Sequence, residues 1–184
     1  NGKVFRGSSK GAGEIGHIPI LLNGGEICRC GNRGCLETLV SEGAILRQAD
    51  QIAHLNPRGI LAQTLADQED ISPIDRVFRA ARAGDELVRA MLEERARYLG
   101  VALVGLVNMF NPELIFLGGI YSRGQDFFLE PVRRTVQEMS FGGMGKHVQV
   151  KATSFGWKAG VLGASALGLM QFFYQPEPIL PSNR

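Results

Sequence analysis

The chain has 184 residues, 45% hydrophobic and 21% charged, with a formal net charge of +2 at pH 7. That is the composition of one domain, or a domain with an appendage. The even charge balance argues against nucleic-acid binding by this segment, and the longest apolar run, Tyr98 to Val107, is too short to cross a membrane.

The chain opens on Asn1-Gly2, a hairpin-turn dipeptide, and reads as though it begins inside a β-hairpin, so a fragment of a longer protein is expected. A short strand is predicted over Lys3–Arg6 and a small-residue loop over Gly7–Gly13. A second strand is predicted over Ile15–Ile20, with His17 on one face and Pro19 at an edge or bulge. Asn23-Gly24-Gly25 turns the chain. One helix is predicted from near Cys35 to about Ile52, stopped by Asn56-Pro57. Leu61, Leu65 and Ala66 suggest a short helix. Ser72-Pro73 starts the next one, with serine as cap and proline in the first turn, and Gly84 ends it.

Asp85 caps the longest element, Glu86 to about Phe110. Its second half, Val101–Phe110, is apolar nearly all round, which predicts burial against a sheet, with a partner subunit as a second candidate neighbour. Asn111-Pro112 breaks it. Leu114–Leu117 is a compact apolar run of the buried parallel-strand type, followed at once by Gly118-Gly119. A helix over Asp126–Met139, despite Pro131, and a strand over His147–Ala152 come next. Ala159–Phe173 is predicted as a helix whose Gly160, Gly163, Ala164 and Gly168 allow close backbone approach. Gln175–Arg184, with three prolines, is a tail. The order predicts an α/β fold.

Chemistry concentrates in Gly13–Glu37. This stretch holds all three cysteines, Cys28, Cys30 and Cys35, spaced C-x-C-x4-C, and His17 lies eleven residues before the first of them. Three thiolates and one imidazole make a complete tetrahedral set for structural zinc, with no open position for a reacting water. The rival readings are a disulfide or three unrelated buried thiols. An odd cysteine count, the closeness of Cys28 to Cys30 and the lack of a visible secretory signal weigh against the disulfide. Turn residues between the cysteines weigh against the buried thiols. With no such signal, a cytoplasmic location is expected.

Glu14 and Glu37 flank the cluster. Carboxylates accept two hydroxyl hydrogen bonds at once, which suits a sugar. Each also has a plainer reading: Glu37 as a helix first-turn acid, Glu14 as a strand-edge carboxylate. Gly118-Gly119 could bring backbone amides to a nucleotide, although such a pair after a strand is usually a tight turn. Trp157 and Lys158 could line the same cleft. His54 and His147 read as surface residues.

G-E-I-G-H followed by C-x-C-G-N-x-G-C-L-E resembles the signature of the ROK family, which groups bacterial sugar kinases with sugar-responsive repressors. The likeness continues through NPELIFLGG and GVLGASAL. It implies the C-terminal lobe of the actin-like, hexokinase-type (ribonuclease-H-like) ATPase fold with a zinc-binding loop, spanning residues 1–175, with 176–184 a tail. It implies zinc on His17, Cys28, Cys30 and Cys35, sugar on Glu14, His17 and Glu37, and adenosine near Gly118 and Gly119. The family's kinases carry a catalytic aspartate and phosphate loops upstream of this region. None is present here, so no catalytic residue is assigned.

The resemblance supports two expectations. The first is the sugar-sensing domain of a transcriptional regulator, which would meet DNA only through an N-terminal domain outside this chain. The alternative is the C-terminal lobe of an ATP-dependent sugar kinase, for which ATP and Mg²⁺ would be needed. A homodimer is expected on either.

Overall fold

The structure is a computed structural model and describes residues 4–67 and 69–174. The Asn1-Gly2 turn, the tail expected at 175–184 and the Trp157 side chain lie outside the described residues.

The organising element is the long helix α5, Glu86–Phe110. The buried Asp85 is its N-cap, accepting from the Val88 amide at 3.2 Å and from the Leu61 amide at 3.0 Å. One carboxylate thus closes two helices, since Leu61 opens α3 (Ile60–Ala66). Asn111 ends α5 in the left-handed conformation with φ +43°. The core runs along one side of α5 through Val88, Leu92, Ala96, Leu99, Leu103 and Val107. Against it lie α1 (Leu36–Val40), α2 (Glu42–Leu55), α4 (Pro73–Arg82) and α7 (Gln125–Met139). Helices α5 and α7 approach closely because residue 100 is glycine. A Cβ there would lie 2.6 Å from the Thr135 Cβ.

Ser72 caps α4, as expected, with Pro73 in its first turn. Val77, Phe78 and Ala81 point inward. The helix predicted from Cys35 to Ile52 is instead two. Ser41 leaves helical geometry (ψ 158°) and accepts from the Ala44 amide at 3.3 Å, ending α1 and starting α2. A serine that can cap competes with a serine that continues the helix.

Strands β1 (Leu114–Leu117) and β2 (Gln149–Ala152) pair in parallel, Leu114 opposite Gln149 and Leu117 opposite Ala152. The short helix α6 (Ile120–Arg123) and α7 make the crossover between them. Only Leu117 of β1 is buried, so the strand is parallel as expected but not covered on both faces among the described residues. Tyr121 of α6 donates to the Val40 carbonyl at 2.8 Å, and its ring meets Phe128 edge-on at 5.1 Å. Burial pushes its phenol up to about 12, so it remains a donor at neutral pH.

Other expectations are corrected. Val4–Arg6 forms no strand, and Val4 and Phe5 are exposed with nothing to pair with among the described residues. Ile15–Ile20 is not a strand. Ile15–His17 is a 3-10 turn, entered through Gly13 at φ +97°. The apolar second half of α5 is buried on one side only, since Val101, Met109 and Phe110 are exposed. The last helix, α8, covers Ala159–Leu169 and continues as a π turn over Met170–Tyr174. Its Gly160, Gly163 and Gly168 meet nothing within 4 Å of an added Cβ. The close approach expected of them is therefore not made among the described residues. No described helix is long and apolar enough to cross a membrane.

Candidate metal centre and the acids beside it

Two backbone devices bring His17 to the cysteines. The first is the 3-10 turn, in which the His17 amide donates to the Glu14 carbonyl at 3.1 Å and Ile18 to Ile15 at 3.1 Å. The second is pairing of the following segment with the far end of the cysteine loop. Ile20 and Leu21 both donate to the Gly34 carbonyl, and Leu36 donates to Ile18. Pro19 forms an antiparallel bridge with Cys35, the edge position expected for a residue lacking an amide hydrogen.

The loop between is a tight knuckle. Cys28 donates to Asn32 at 2.7 Å, Gly31 to Cys28 at 2.9 Å and Gly34 to Glu26 at 2.9 Å. Gly34 has no permissible replacement here. Its φ is +67°, and a Cβ would collide with the Leu21 carbonyl.

The result is a cluster. The ligand atoms of His17, Cys28, Cys30 and Cys35 all lie within 4.8 Å of one another. His17 Nδ1 is 3.4 Å from Cys28 Sγ, and Cys30 Sγ is 3.6 Å from Cys35 Sγ. A tetrahedral ion with metal–sulfur bonds of about 2.3 Å sets its sulfurs about 3.8 Å apart, so this spacing fits a four-coordinate divalent metal. Burial pushes the Cys35 thiol up to about 12, whereas the backbone hydrogen bond with Asn32 draws Cys30 down. A cation entering the cluster would take the place of these protons.

The imidazole has two working sides. Nδ1 faces the sulfurs, while Nε2 lies 3.9 Å from Glu14 Oε2 and 3.8 Å from Glu37 Oε2. These gaps are too long for direct hydrogen bonds. Glu37 sits in the first turn of α1, and its other oxygen meets Arg29 Nε at 3.2 Å. Nothing in the sequence pattern singles out Arg29 as a site residue. Its hold on Glu37 comes from the knuckle, which folds the loop tip back over α1, and residue spacing carries no sign of that.

The sequence-predicted site residues therefore divide. His17, the three cysteines, Glu14 and Glu37 converge. Gly118 and Gly119 are elsewhere, at the end of β1. Gly119 has φ +61°, and Gly118 borders a cavity of about 340 Å³ with Phe116, Thr153, Ser154, Phe155 and Ala159. Glu14 borders a separate apolar cavity of about 720 Å³ with Ile15, Ile18, Leu106 and Phe110. His54 and His147 are surface residues, as expected.

A sequence model of the ROK family matches residues 1–170. The glucokinase of Halalkalibacterium halodurans is 34% identical over 167 residues, covering 91% of this chain and 50% of that protein. The xylose repressor of Caldicellulosiruptor bescii is 32% identical over 177 residues, covering 95% of this chain and 43% of the repressor. Among solved structures, a ROK family glucokinase from Streptomyces griseus, in complex with glucose and AMPPNP, superposes with a TM-score of 0.75 at 34% identity, over 90% of this chain and 54% of that one. Kinases and repressors thus stand side by side among the relatives, and the chain spans about half the length of the curated relatives it matches.

Proposed function

The chain belongs to the ROK family, and from that premise we propose that it is the sugar-sensing lobe of a transcriptional regulator, with zinc holding the loop that touches the sugar. The architecture is a lobe of the actin-like, hexokinase-type ATPase fold, mostly helical with a small sheet.

The observation that carries the sugar reading is the division of labour at His17. Its Nδ1 belongs to the metal cluster, so the tautomer is fixed and Nε2 carries the hydrogen. Nε2 then stands 3.9 Å from Glu14 and 3.8 Å from Glu37, too far to bond either carboxylate directly. A sugar hydroxyl placed there accepts from Nε2 and donates to Glu37. A neighbouring hydroxyl on the ring donates to Glu14. Such charge-assisted bonds reject analogues lacking the hydroxyls. The zinc is structural, since all four positions are filled by protein.

In a regulator, the sugar changes DNA affinity only by binding one conformation better than another. The DNA contact would come from another part of the intact protein. The kinase reading rests on the similarity to glucokinases of known sequence and structure. There the same acids would position a hexose for attack on a nucleotide γ-phosphate, with Gly118 and Gly119 near the nucleotide.

The test uses the intact protein. Calorimetry against a panel of aldoses and zinc analysis by mass spectrometry examine the shared reading. Failure of every aldose to bind overturns it. Sugar-dependent change in DNA binding without ATP turnover supports the regulator. Hexose-dependent ADP formation replaces it with the kinase.

A further inference from the structure

The three cysteines of the cluster are not equivalent. Cys30 is exposed, whereas Cys28 and Cys35 are buried. An oxidant arriving from solvent meets Cys30 first. Cys30 Sγ lies 3.6 Å from Cys35 Sγ, while Cys28 faces the His17 imidazole at 3.4 Å. Chain connectivity favours the same partner. A single residue separates Cys28 from Cys30, too short a link for relaxed disulfide geometry, whereas Gly31, Asn32, Arg33 and Gly34 separate Cys30 from Cys35. Both glycines of that link already have positive φ, so the turn is built to bring its ends together.

We propose that Cys30 and Cys35 form a peroxide-sensitive dithiol within the cluster, and that their disulfide expels the metal. The oxidant is a hydroperoxide, with hydrogen peroxide as the simplest member. The Cys30 thiolate attacks one peroxide oxygen. An S–O bond forms, the O–O bond breaks, hydroxide leaves, and Cys30 becomes a sulfenic acid by a two-electron oxidation. The Cys35 sulfur then attacks the Cys30 sulfur. The S–S bond forms, the S–O bond breaks and a second hydroxide leaves. Peroxide is reduced and two thiolates are oxidised. The cluster loses two of its three anionic ligands, and His17 with Cys28 alone cannot hold a tetrahedral metal.

The metal half of this inference rests on the zinc reading above. The disulfide half does not. The experiment treats the intact protein with hydrogen peroxide, blocks free thiols by alkylation, and maps linkages by mass spectrometry of unreduced peptides. A chromogenic chelator follows zinc in parallel. The expected result is a Cys30–Cys35 linkage with Cys28 alkylated, zinc release in step with disulfide, and recovery of zinc binding after dithiothreitol. A linkage through Cys28, over-oxidation of Cys30 without a linkage, no reaction, or a linkage with zinc retained each overturns it. If the purified protein carries no zinc and takes none up, the zinc reading fails by itself, and the linkage map still decides the dithiol.

Discussion

Replacing Glu37 by glutamine separates binding from folding at one side chain. The substitution keeps size and one acceptor oxygen but removes the charge. In the proposed pose, the carboxylate accepts a sugar hydroxyl beside His17 Nε2. A hydrogen bond to a charged group is worth about 1.5–3 kcal/mol, which corresponds to about a 10- to 150-fold rise in Kd. The structural role of Glu37 is smaller. Its partner Arg29 is mostly exposed, with side-chain exposures of 76% and 32% for the pair, so the ion pair contributes at most about 1 kcal/mol. For a chain of this size such a loss lowers the melting temperature by about 2–4 °C. The assay is calorimetry of the intact protein with its tightest-binding aldose, beside a thermal melt. Glu42→Gln, which changes an exposed acid in the first turn of α2, is the control and should bind as wild type does. If Glu37→Gln binds within about twofold of wild type, the assignment of Glu37 to the sugar is wrong. If affinity falls only together with a large drop in melting temperature, the residue is structural.

Further predictions concern the frame around the site. Gly34→Ala forces a β-carbon into the Leu21 carbonyl at a positive φ, so it should destabilise by more than about 2 kcal/mol and release bound metal, read by thermal melt and metal analysis. Asp85→Ala removes the α5 cap and orphans the buried Leu61 amide, with an expected cost of about 2–4 kcal/mol in urea unfolding. A loss under 1 kcal/mol, about the size of a cap alone, would deny it the second role. Stripping the metal with a strong chelator should lower the melting temperature and the sugar affinity together, and added zinc should restore both. The Arg79 guanidinium holds the Glu69 carboxyl below its ordinary value of 4.5. That pair therefore stabilises the fold above the ordinary carboxylate range and is lost as pH falls through the lowered value. Carbon-detected NMR titration should show most of the depression lost in Arg79→Gln, with the Arg76 charge remaining.

What could be read from the sequence was whatever is set by local chemistry. Ser72-Pro73 and Asp85 are caps because their side chains reach amides three residues on, whatever the tertiary fold. The metal cluster was legible because its ligand types have few other uses at that spacing. Ile15–Ile20 was misread because a polar–apolar alternation over six residues fits a strand or a 3-10 turn. Distant pairing of Ile18–Leu21 with Gly34–Leu36 decides between them. The break at Ser41 was hidden because serine can sit inside a helix as well as cap one. The apolar face of α5 and the small residues of α8 mark surfaces that want a neighbour. Composition names that need but not the neighbour, and the described residues leave Met109, Phe110, Leu162 and Phe172 exposed.

The hydrogen bond from Tyr121 to the Val40 carbonyl ties together two places that are far apart in the chain. Tyr121 follows the Gly118-Gly119 turn by two residues, and Val40 ends the short helix whose first turn carries Glu37. Edge-on packing against the fully buried Phe128 leaves the ring little room to swing. The phenol therefore acts as a strut between the glycine turn and the far end of α1. With only five residues in α1, a tilt at one end is passed to the other with little flexing. A shift of the glycine turn would thus have a direct route to the acid beside His17 through this one bond. Cutting the strut with Tyr121→Phe would leave both ends in place but let them move separately.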